Sequence, residues 1–133
     1  MDNALDILTA SLELVAERCD DPAPLVYRRL FAENPAIEPL FVRDKSGIVR
    51  GQMLTVAIET LMDLAGPGYY ATGMLQSERV NHDGLGVPME NFDTFFVTVK
   101  TTFSEIAGDA WTAEMDETWA MLIARAQAVL ADR

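Results

Sequence analysis

The chain has 133 residues, half hydrophobic and 23% charged, a globular composition with material for one sizeable core, so one domain over residues 1–133 is expected. Ten Lys and Arg against twenty-one Asp and Glu leave a net charge of −11, which disfavours nucleic acid and anionic membrane faces as partners. No apolar run reaches the length of a bilayer span, Met1-Asp2-Asn3-Ala4 lacks the basic start of a signal peptide, and the single cysteine, Cys19, excludes an internal disulfide, so a cytoplasmic location is expected.

The pattern is helical almost throughout. Asp2 and Asn3 can cap a first helix whose apolar positions are Leu5, Leu8, Leu12, Val15 and Ala16. Asp20-Asp21-Pro22-Ala23-Pro24 ends it and opens a second, with Leu25, Val26, Leu30 and Phe31 as its stripe. Asn34-Pro35 breaks that helix, and a short helical turn from Ala36 to Leu40 closes at Phe41. Residues 42–47 read as a loop. A long pattern then runs from Gly47 to Ala65, with Leu54, Ile58, Leu61 and Met62 on one face, and Gly66-Pro67-Gly68 stops it. Tyr69 to His82 is a weaker helical stretch ended by Gly84 and Gly86. Pro88 opens the next helix, with Phe92, Phe95, Phe96, Val99 and Phe103 on its apolar side, and Gly108-Asp109 closes it. Thr112 begins the last, where Met115, Trp119, Leu122, Ile123, Ala126 and Leu130 repeat at three and four. No alternating strand and no internal repeat is visible. The fold class is all-α, with six or seven helices in a bundle or around a pocket.

His82 is the one histidine. Before a Gly-rich turn, such a residue ordinarily ends a helix, where its cationic form favours the negative end of the dipole. One histidine cannot build a zinc site. It can hold a haem, because haem brings four equatorial nitrogens and needs one axial ligand from the protein.

Three stretches carry a family resemblance. The first is Val26-Tyr27-Arg28-Arg29-Leu30-Phe31-Ala32-Glu33-Asn34-Pro35-Ala36-Ile37-Glu38-Pro39-Leu40-Phe41. The second is His82 followed by Leu85-Gly86-Val87 and, ten residues on, Phe92. The third is Gly108-Asp109-Ala110-Trp111-Thr112 leading to Asp116-Glu117-Thr118-Trp119. In register, they resemble the globins, and specifically single-domain bacterial haemoglobins and the haem domain of flavohaemoglobins. The resemblance implies a globin-like fold of six to eight helices around a haem b pocket. It places His82 as the axial iron ligand, Phe41 against the haem face, and Tyr27 as the distal hydroxyl that donates to bound O2. Val87, Phe92 and Phe95 would line the proximal side and the haem edge, and Arg79 is a candidate for a propionate.

The distal helix allows two registers. With Arg50 over the iron, Leu54 and Ile58 follow on the same face and Gly51 sits at a close crossing with the second helix. With Gln52 there instead, Thr60 would point at the core and Gly51 would lose its use. The first register is preferred. The chain departs from the family in carrying Glu78 where a leucine usually stands one turn before the histidine. Trp119 is expected to pack between the last helix and the second or the histidine-bearing one.

The function implied by the resemblance is binding of a diatomic gas, O2 or NO, at a histidine-ligated iron. Detoxification by turnover of O2 with NO would need an external reductase, since no flavin or NAD domain follows before Arg133. A gas or redox sensor acting through a partner, and a haem-free helical scaffold, are the alternatives.

Overall fold

A computed structural model describes residues 3–84 and 89–131; the side chains of residues 79, 81–84 and 89–93 lie outside that description. Among the described residues the elements are helical, in the order the sequence predicts. They are α1 (Ala4–Arg18), α2 (Ala23–Glu33), α3 (Ile48–Ala65), α4 (Ala71–Gly84), α5 (Met89–Ala107) and α6 (Ala113–Ala131). Two 3-10 segments join them, Pro35–Phe41 after α2 and Gly108–Ala110 after α5. Asn3 stands at the N-cap of α1 without a side-chain bond to its first turn. At the start of α6, by contrast, the Thr112 hydroxyl accepts the Met115 N–H at 3.0 Å.

α1, α5 and α6 pack on one another, α4 rests on α6, and α2 lies along α5. α3 passes through the middle, touching α1, α2, α4 and α6. It can do so because it is apolar on two sides. Leu54, Ala57, Leu61 and Ala65 are buried, and Thr60 and Asp63 are buried with them.

Trp119 is the largest fully buried side chain. Its indole N–H donates to Ser11 Oγ at 2.9 Å, and that hydroxyl donates to the Leu8 carbonyl at 2.6 Å. Phe103 meets it edge-on at 5.7 Å and Trp111 stands 5.9 Å away. The expected packing of Trp119 on the second or histidine-bearing helix is therefore corrected to α1 and α5. The acceptor its N–H requires is supplied by Ser11 of α1.

The link from α3 to α4 is held by Asp63, 4% exposed. Its carboxylate accepts the backbone N–H groups of Tyr69 (3.2 Å), Tyr70 (3.1 Å) and Ala71 (2.8 Å). Those are donors that a helix start cannot satisfy from within. The Asp63 carbonyl accepts the N–H of Gly68, whose φ of +73° is what calls for glycine there. α4 is thus started by a charge from the preceding helix, which fixes where along α3 it begins.

Candidate functional site

Between α2, α3, α4 and α5 lies a cavity of about 270 Å³. Leu30 of α2 and Ile37 and Phe41 of the 3-10 segment form one end. α3 contributes Val49, Gln52, Met53, Val56, Ala57 and Thr60; α4 contributes Met74, Leu75 and Glu78; α5 contributes Phe95 and Phe96. The wall is mostly hydrocarbon and aromatic, with a few polar side chains, the make-up of a site for an apolar ligand that needs orienting groups. The Thr60 hydroxyl lies 2.7 Å from the Val56 carbonyl and 3.1 Å from Met74 Sδ. Its one proton can serve either, tying α3 to α4 across the cavity wall.

Phe41 and Phe95 line this cavity. Behind them stands Tyr27, 1% exposed, with its ring 5.5 Å from Phe41, 5.7 Å from Phe95 and 5.9 Å from Phe31. Its hydroxyl is buried and has no hydrogen-bond partner among the described residues. Burial raises its pKa above the ordinary phenol value; Arg50 opposes that and Asp44 adds to it. The group is therefore a neutral O–H, available as a donor, and an orphaned one is costly to bury.

The cavity face of α3 differs from the preferred register. Arg50, Leu54 and Ile58 are absent from the cavity wall, while Gln52 and Val56 are in it. Leu54 is buried in the core on another side of the helix, and Ile58 packs against that core. Arg50 is occupied elsewhere: its Nε lies 3.1 Å from Asp44 Oδ2 and its Nη2 donates to the Asp44 carbonyl at 2.7 Å. The same carboxylate accepts the Val49 and Arg50 backbone N–H groups, so a loop residue caps the first turn of α3 and takes Arg50 with it. A Cβ on Gly51 would meet nothing within 4 Å, so no close crossing depends on that glycine. Both consequences of the Gln52 register, a buried Thr60 and an idle Gly51, are observed.

His82 and Arg79 lie in α4, and Phe92 in α5, but their side chains lie outside the described residues, as does Val87 altogether. His82 follows Glu78 by four residues and Leu75 by seven, a spacing that keeps to one face of a helix. Glu78 itself lines the cavity, where the family's leucine would give a more apolar wall. Among the described residues no group of three His, Cys, Asp or Glu could hold a metal ion. A haem iron asks for less, a single protein ligand.

The described residues fit a haem on two counts. The wall offers aromatic and aliphatic surface from four elements, and a neutral hydroxyl without a protein partner is buried against two of its phenylalanines. Gln52 was the alternative register of the sequence, and Asp63 was not singled out. For Gln52 the signal was present, in the buried Thr60 two turns on. For Asp63 it was the Gly66-Pro67-Gly68 turn that follows it.

The Globin family model matches residues 25–130. No curated protein and no solved structure matches the chain significantly. No helix of the described residues is long and apolar enough to cross a membrane.

Proposed function

The chain belongs to the globin family, which implies haem binding and gas binding in general, and from that premise we propose that it binds O2 or NO at a haem held by His82. The observation that carries this reading is the orphaned Tyr27 hydroxyl behind an apolar cavity. When bound, haem supplies an iron with one coordination position open to a diatomic gas. The work of the chain's own residues is then as follows. His82 would hold the iron through its imidazole. Phe41, Leu75, Phe95 and Phe96 exclude water from the disc. The Tyr27 O–H would be free to donate to a polar diatomic such as O2 in preference to the less polar CO. Gln52, from the cavity face of α3, adds a second neutral donor. Arg50 acts at one remove, holding Asp44 and through it the loop that carries Phe41.

The likeness to single-domain bacterial haemoglobins extends the proposal to turnover of O2 with NO, for which an external reductase would supply electrons. A sensor role and a haem-free scaffold have no residue that speaks for them; the unpaired Tyr27 hydroxyl speaks against an empty scaffold.

The test is the O2 release rate of the haem-loaded protein. Loss of one hydrogen bond of about 1.4 kcal/mol corresponds to roughly tenfold faster release, which is expected for Tyr27→Phe. Gln52→Ala is expected to speed release less, and Arg50→Ala least of the three. Unchanged release in both Tyr27→Phe and Gln52→Ala would remove the distal assignment.

A further inference from the structure

The corner from Leu40 to Val49 has surface chemistry that gas binding does not use. Leu40 (49% exposed), Val42 (70%), Ile48 (63%) and Val49 (47%) stand in solvent within ten residues of chain. Arg43 and Lys45 are exposed among them. Asp44 is turned inward onto Val49 and Arg50, so its charge and that of Arg50 cancel, and Arg43 and Lys45 set the sign of the corner. Residues 40–50 hold three basic residues, Arg43, Lys45 and Arg50, and one acidic residue, Asp44, with the exposed Glu38 two residues before Leu40.

The members of this corner are held together. The Asp44 bonds fold the loop back on the start of α3, and Phe41 and Val49 meet in the same cavity wall. Leu40 and Val42 adjoin Phe41 in the chain, and Ile48 adjoins Val49. Clustered exposed apolar side chains with a charged rim mark an interaction site, whereas scattered ones do not.

We propose that this corner docks an acidic protein partner with an apolar centre to its contact face, the external electron donor of the function proposed above, on which this inference rests. The net charge of −11 repels an acidic partner from the molecule as a whole, and the exposed Arg43 and Lys45 favour its approach at this corner, so charge orients it. Val49 belongs to the patch and to the cavity wall, so a partner seated on the patch adjoins the cavity. Docking there serves a one-electron transfer out of the partner's reduced cofactor and into ferric iron, with no bond made or broken and no proton moved. An anionic lipid face has no such fit, because the remainder of the surface repels it.

The experiment titrates oxidised flavodoxin, a small acidic flavin protein, into the ¹⁵N-labelled full chain with and without haemin, at about 0.01 M and about 0.15 M ionic strength. The expected result is amide shifts centred on residues 40–50 and an affinity that falls at least about tenfold at the higher salt. Arg43→Glu with Lys45→Glu is expected to weaken binding at least about tenfold at low salt and to leave haemin uptake unchanged. Val42→Ser with Ile48→Ser is expected to weaken it at both salts, since these side chains are exposed and circular dichroism would show the fold retained. No binding by the intact protein at low salt, shifts centred elsewhere, or equal binding by the charge-reversed pair overturns the proposal. So does loss of haemin uptake in that pair with flavodoxin binding intact, which would make the two cations a rim for haem carboxylates. So does preference for phosphatidylserine vesicles over flavodoxin. Binding is read on the haemin-free chain as well, so failure to take up haemin would sink the functional proposal without blurring this result.

Discussion

Two buried aromatic clusters occupy the two sides of this molecule, and each carries one polar handle. On the α1–α5–α6 side Trp119 is packed by Phe103 and Trp111, and its N–H ends on Ser11, which in turn ends on the Leu8 carbonyl. On the α2–α5 side Tyr27 is packed by Phe31, Phe41 and Phe95, and its hydroxyl ends on nothing among the described residues. Burial is equally complete, at 0% and 1% exposed. A buried polar group left without a partner costs about 1–3 kcal/mol, a cost that Trp119 avoids with one serine. The closed group shows that one small polar neighbour suffices, and the open one is the group the proposed ligand would satisfy.

This contrast can be broken or sharpened by substitution. The largest effect is expected from Trp119→Ala, which should cost about 3–5 kcal/mol in chemical denaturation by removing the centre of the closed cluster. Ser11→Ala should cost about 1–3 kcal/mol, because it leaves the indole N–H buried without an acceptor. Tyr27→Phe should do the opposite in the haem-free protein, leaving stability unchanged or slightly raised, because it deletes an orphan and keeps the ring. If Tyr27→Phe destabilises as much as Ser11→Ala, the hydroxyl has a partner after all and the contrast fails.

The smallest effect expected is one of pH at the loop between the two halves of the cavity wall. Partial desolvation works to raise the Asp44 carboxyl, but the N–H groups of Arg50 and Val49 and the Arg50 guanidinium outweigh it and hold the pKa below the ordinary value. A carboxyl lowered on folding contributes stability that is full above its unfolded pKa and is lost as pH falls through the folded one. Amide exchange at Val49 and Arg50 should therefore quicken on acidification below the usual carboxylate range, relative to protected amides of α6. Asp44→Asn should remove that dependence.

How much of this was legible beforehand differs between the same two sides. The helix order and the turn at Phe41 follow from apolar spacing and from Asn34-Pro35, which act locally, whereas Phe41 and Phe95 as wall residues came from the family resemblance. The register of α3 does not follow. That helix buries Leu54, Leu61 and Ala65 on one side and presents Val49, Gln52, Val56 and Thr60 to the cavity on another, so its period fits both choices. What decides between them is Asp44, a loop residue that captures Arg50, and no periodicity reports a loop contact. Trp119 was legible as core but its neighbours were not, because Ser11, 108 residues earlier, looks like any small polar residue on α1. Asp63 was hidden for a similar reason: a lone acid near a helix end looks solvated until the backbone of α4 turns back onto it.

The central claim is that the open cluster faces a haem held by His82, and uptake of haemin by the purified chain tests it most directly. The intact protein should take up one equivalent and develop a sharp Soret band; His82→Ala should lose the axial-imidazole spectrum and recover it on addition of free imidazole. An intact protein that takes up no haemin, or a His82→Ala spectrum identical to that of the intact protein, would contradict it.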